Sequence, residues 1–129
     1  MAARLQNIAV DAKNSYELAQ FWAKVLDFVP DEKYPLNPDM EENFVGPRDG
    51  KGPGLLFMNV PESKTIKNRL HLDMDSDGDR DAEVQRIVDL GATVVETKFY
   101  RDDGSGWMVL ADPEGNEFCV IGTPLEAGH

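Results

Sequence analysis

Gly106-Trp107-Met108-Val109-Leu110-Ala111-Asp112-Pro113-Glu114-Gly115-Asn116-Glu117-Phe118-Cys119-Val120-Ile121 is the stretch whose reading decides the fold. Two apolar runs flank Asp112-Pro113-Glu114-Gly115. Pro113 presets φ for the second position of a type I turn. Asp112 can accept a local backbone bond, and Gly115 supplies the left-handed residue that closes the turn. The spacing predicts a tight β-hairpin. Side chains alternate along a strand, so Glu117, Cys119 and Ile121 share one face, and Phe118 and Val120 share the other.

Working back from the hairpin, 102–106 is a turn and 93–100 reads as a strand. Val84, Ile87, Val88 and Gly91 follow helix spacing, with Gly91 just past the helix end. The acidic run 75–81 suits a helix N-terminus, and 70–74 reads as a strand. The first half has the same order. Residues 5–11 have strand character, and Asn14 with Glu17 three positions on has the spacing of a capping box. Leu18, Phe21, Trp22, Val25 and Leu26 form one apolar helix stripe. Residues 28–34 are expected as a short strand ended by Pro35. Phe44 and Val45 are a short strand, 46–54 is a turn region, and 55–60 is a buried-type strand stopped by Pro61.

Helix ends Leu26 and Leu90 lie 64 residues apart, as do Asp11 and Asp75. Both halves therefore read as copies of one βαβββ module. Module one spans about 4–60 and module two about 68–122, within a single domain over 1–129. A lone module would bury little apolar area. The expected fold class is α+β: two βαβββ modules forming a curved mixed sheet around a cavity, helices on the outer face.

The formal net charge of −11 repels phosphate backbones and anionic membranes, so neither nucleic acid nor membrane is an expected partner. One cysteine, Cys119, excludes an internal disulfide. No leader or spanning segment is read, so the cytoplasm is the default location.

Four pieces carry a resemblance: Asn7-Ile8-Ala9-Val10-Asp11, Phe21-Trp22, His71-Leu72-Asp73, and Asp112 through Val120. In order and spacing they resemble the vicinal-oxygen-chelate superfamily, which includes glyoxalase I, bleomycin-resistance proteins and extradiol dioxygenases. The chain looks most like the small glyoxalase-like domain proteins. The resemblance implies a homodimer. It also implies metal ligands on the first and last strands of each module, at Asn7, Leu55, His71 and Cys119. Here the chain departs from the metal-using pattern. Leu55 ligates nothing, Asn7 is a weak ligand, and Cys119 is a soft one where a carboxylate is usual. Catalytic zinc needs three protein ligands, so no cofactor is expected.

The expected function is a small-molecule-binding protein or metal-independent enzyme of the glyoxalase/bleomycin-resistance type, with its substrate open. His71 is the candidate catalytic residue, acting by hydrogen bonding. Asn7, Leu55, Phe57, Asp73, Trp107 and Cys119 are candidate ligand-binding residues. The alternative is a metal-dependent lyase or dioxygenase using His71 with neighbouring ligands. A thiolate–imidazole pair of Cys119 and His71 is a further possibility, though a lone buried cysteine is most often an inert apolar group. Asp73, Asp75, Asp77 and Gly78 imitate half a calcium loop, but Val84 stands where the bidentate Glu is needed, so these acids read as helix caps. Arg48, Tyr100 and Arg101 are candidate rim residues.

Overall fold

Asn14 starts the first helix as its capping pattern requires. Its side-chain oxygen accepts the Glu17 N–H at 3.0 Å, opening α1 (Ser15–Leu26). The apolar stripe is the buried face: Leu18, Phe21, Trp22 and Val25 are all buried, and the Phe21 and Trp22 rings meet edge to face at 5.4 Å. Asp27 ends the helix in the left-handed region, at φ 54°. Its carboxylate takes two bonds from the Arg48 guanidinium, at 3.1 and 2.9 Å. Arg48 is thus tied to a helix end.

The computed structural model describes residues 2–76, 78–100 and 105–122, with backbone alone for 97–100. Arg101 and the Tyr100 side chain lie outside that set, as does Asp77 of the calcium-loop imitation. The chain divides into two compact units, Met1–Ser63 and Lys64–His129. The fold is α+β, with one mixed sheet in each unit.

In the first unit, β1 (Asn7–Ala12) runs parallel to β3 (Gly54–Asn59), and β2 (Glu42–Val45) runs antiparallel to β3 on its other side. The strand expected over 28–34 is reduced to a bridge between Val29 and Gly46. Pro30 follows directly and has no N–H for a ladder. Asp31 then folds the chain into a turn: its side chain accepts the Lys33 N–H and its carbonyl the Tyr34 N–H.

The second unit holds the full set. It comprises β4 (Leu72–Asp75), α2 (Arg80–Asp89), β5 (Thr93–Tyr100), β6 (Gly106–Ala111) and β7 (Glu117–Gly122), with sheet order β4-β7-β6-β5. Asp79 caps α2, accepting the Asp81 N–H. The turn between β6 and β7 has the chemistry its residues dictate. The Gly115 N–H bonds the Asp112 carbonyl at 2.8 Å, Gly115 sits at φ 92°, and Asp112 Oδ1 accepts from the backbone of Glu114 and Asn116. No helix among the described residues is long and apolar enough to cross a membrane.

The two units repeat in topology, but the 64-residue offset does not hold throughout. Ile8 lies beside Leu55 in the first unit, whereas Leu72 lies beside Phe118 in the second. Placing Asn7 on His71 therefore puts Leu55 on Phe118 and Leu56 on Cys119. A uniform 64-residue offset would instead put Leu55 on Cys119; the ladders place it one residue away, and one residue in a strand reverses the face.

Candidate functional site

The two faces of each sheet are distinguishable from contacts. In the first unit the Ser15 N–H donates to Asn59 Oδ1 at 2.7 Å, and Asn43 Nδ2 donates to Ser15 Oγ at 2.9 Å. Asn59 and Asn43 therefore face α1. By alternation and pairing so do Leu55, Phe57 and Val45, all buried. Leu55 and Phe57 stand in the core beneath α1. The opposite face presents Asn7, Ala9, Leu56 and Met58. Asn7 is half-buried there, across from Gly54.

In the second unit a Cβ built on Gly122 would point at Arg80 and Ser76, so Gly122, Val120 and Phe118 face α2. Phe118, Val120 and Leu110 are buried with Val84 and Ile87 of that helix. Arg80 itself is buried, and its guanidinium donates to the Gly122 carbonyl at 3.1 Å.

Cys119 and Ile121 consequently face away from α2. With Asp73 and Trp107 they line a cavity of about 270 Å³. The ladders explain the grouping: Asp73 is the register partner of Cys119, and Trp107 that of Ile121. Three expected residues, Asp73, Trp107 and Cys119, thus share one cavity within the second unit. Ile121 joins them. Its signal was present in the sequence, since Cys119 and Ile121 are two residues apart on one strand. His71 lies one residue before β4, is exposed, and is not among the residues lining the cavity.

Glu117 is on the same strand face but has another task. Its carboxylate takes the Lys64 ammonium at 3.0 Å and the Asn68 backbone N–H at 2.9 Å, while the Asn68 amide donates to its carbonyl at 3.2 Å. Burial is the largest single influence on this carboxyl and raises its pKa. The Asn68 backbone donor and the Lys64 hydrogen bond, helped by Glu117's own backbone donor and the Lys64 charge, outweigh it and hold the pKa at about 2. Glu117 anchors the segment from Lys64 to Asn68 onto β7. Nothing in the sequence pattern marked that partnership, because Lys64 and Glu117 are 53 residues apart.

Among the described residues, the groups that line this cavity are too few to make a metal donor set. Among the described residues, those lining the cavity around Cys119 offer one thiol and one carboxylate, from Asp73. Among the described residues no three His, Cys, Asp or Glu side chains stand together to hold an ion. A soft thiol also suits Mn(II) or Mg(II) poorly. Among the described residues no imidazole lines the cavity with Cys119.

A family model described as glyoxalase-like domain matches residues 7–121. No curated protein matches the chain. Among solved structures, the chain is similar to a glyoxalase/bleomycin resistance protein/dioxygenase family enzyme from Burkholderia phytofirmans PsJN. That likeness has 21% identity and a TM-score of 0.70, and covers 92% of this chain and 97% of that one. It is also similar to the genomically encoded fosfomycin resistance protein FosX from Listeria monocytogenes, seen with Mn(II) and 1S,2S-dihydroxypropylphosphonic acid. There the identity is 16%, the TM-score 0.70, and the coverage 98% and 94%. FosX from Mesorhizobium loti matches at 16% identity and a TM-score of 0.68, covering 95% and 94%. At these identities the likeness is one of fold.

Proposed function

The chain belongs to the glyoxalase-like domain family, and we propose from there that its second module binds a small organic molecule without a metal. The observation that carries this reading is the cavity lined by Asp73, Trp107, Cys119 and Ile121 on the sheet face turned away from α2. Its composition is that of a small-molecule site: apolar walls with few polar groups. At about 270 Å³ it suits a small ligand. In this reading Cys119 serves as wall, and Asp73 supplies polar recognition. His71, two residues before Asp73, is the proposed hydrogen-bonding group at its edge. Any reaction would then be metal-independent. The competing reading is a metal-dependent lyase or dioxygenase using His71.

A fragment screen by amide NMR on the full chain, with and without chelator, separates the two. The expected result is hits that shift the amides of Asp73, Trp107, Cys119 and Ile121 and persist in chelator. Binding that appears only after a divalent ion is added, and is lost in His71→Ala, would replace this reading with the metal-dependent one. Assembly as a homodimer is part of the proposal, and light scattering on eluted protein tests it.

A further inference from the structure

The geometry points to a small organic monocation as the ligand class of the second-module cavity, an inference that rests on reading that cavity as the binding site. Asp73 and the Trp107 indole both line it. Among the described residues the Asp73 carboxylate has neither an ion pair nor a hydrogen bond. Asp75, two residues along β4 and on the same side by alternation, has none either. Lys64, which reaches Glu117 at the start of β7, is bound there. Among the described residues, negative charge on this face is therefore left for a ligand to meet.

The indole adds a second preference in the same direction. The face of a Trp ring attracts an ammonium or guanidinium held near its centroid, and the attraction grows as water is excluded. Cys119, 8% exposed, and Ile121 supply the apolar surface that removes water from the cation's alkyl or aryl groups. A neutral ligand of the same shape would gain the apolar contact alone. An anion would meet Asp73, with Asp75 further along the same strand face, and a chain whose formal charge is −11. Small volume limits the choice to a compact cation rather than a polyamine-bearing macromolecule.

Calorimetry on the full chain tests this with three probes of one shape: benzyltrimethylammonium, its neutral carbon isostere neopentylbenzene, and the anion phenylmethanesulfonate. The expected order is cation, then neutral, then anion, with the cation favoured about tenfold over the neutral probe. Asp73→Asn should reduce that preference to roughly threefold or less. Trp107→Leu should weaken the cation roughly threefold or more. Raising salt to half-molar needs no variant and should weaken only the cation, because the carboxylate is exposed and screened. A neutral isostere that binds as tightly as the cation, at all salt concentrations, would overturn the cation inference while leaving the cavity as the binding site. If none of the three probes binds and fragment hits map away from Asp73, Trp107, Cys119 and Ile121, both fall.

Discussion

Glu117→Gln removes a charge whose environment the structure defines, and its effect should depend on pH in a calculable way. The folded carboxyl is held at about 2 against an ordinary 4.5, a depression of about 2.5 units. At 1.36 kcal/mol per unit the ionised form contributes about 3 kcal/mol to stability. Little of this is lost to solvent screening, since the Lys64 and Glu117 side chains are 17% and 16% exposed. The sign follows from the depression. The contribution is complete above the unfolded value of 4.5 and disappears as pH falls through about 2. Wild type and Glu117→Gln should therefore differ by about 3 kcal/mol near pH 7 and by about 1 kcal/mol near pH 3. In a chain of 129 residues the neutral-pH gap corresponds to a melting shift of roughly 10 °C. Urea titrations of both proteins near pH 7, 5 and 3 measure it, with urea chosen because guanidinium would screen the Lys64 pair. Lys64→Met should reproduce part of the loss, because the Asn68 bonds remain. A gap that stays constant from pH 7 to pH 3 would refute the reasoning, since it would mean that Glu117 is not ionised by these partners.

Gly115→Val should lower stability by about 1–3 kcal/mol without altering ligand affinity, because φ at 92° is strained for a β-branched residue; thermal melts and the probe titrations read both effects. Asn43→Ala should cost about 1–3 kcal/mol, since it strips a buried partner from Ser15 Oγ and from the Asn37 N–H; its denaturation midpoint is the check. Elemental analysis of protein purified without chelator should find no stoichiometric transition metal, and glyoxalase I assays with added zinc, nickel, manganese or iron(II) should show no turnover. A one-to-one metal whose affinity collapses in His71→Ala would contradict that expectation.

The helices and the closing hairpin were legible because their signals are local. The Asn14 cap, the stripe from Leu18 to Val25, and the Asp112–Gly115 turn each depend on residues within a few positions. The strand over 28–34 was misjudged for a comparably local reason, since Pro30 and the Asp31 turn outweigh the apolar pair Phe28 and Val29. Part of the cavity was also legible. Cys119 and Asp73 come from the first and last strands of one module, and parallel pairing places them side by side. Ile121 was not among the expected site residues, although its alternation with Cys119 marked the same face.

The sequence by itself determined the order of elements apart from 28–34, the duplication and the turn, because periodicity and turn chemistry act over a few residues. The tertiary structure decided which side of each strand meets the helix. A repeat of 64 residues carries no information about a one-residue slip between first and last strands, yet that slip sets Leu55 against α1 and Cys119 in the cavity. It also decided the fate of Glu117. From the sequence this residue is a carboxylate beside Cys119. In the fold, Lys64 and Asn68 reach it from some fifty positions away and hold it as an anchor. Asp73 remains the acid that faces the cavity. Partners so distant along the chain are set by which segments the folded backbone brings together, and side-chain chemistry selects among them only afterwards.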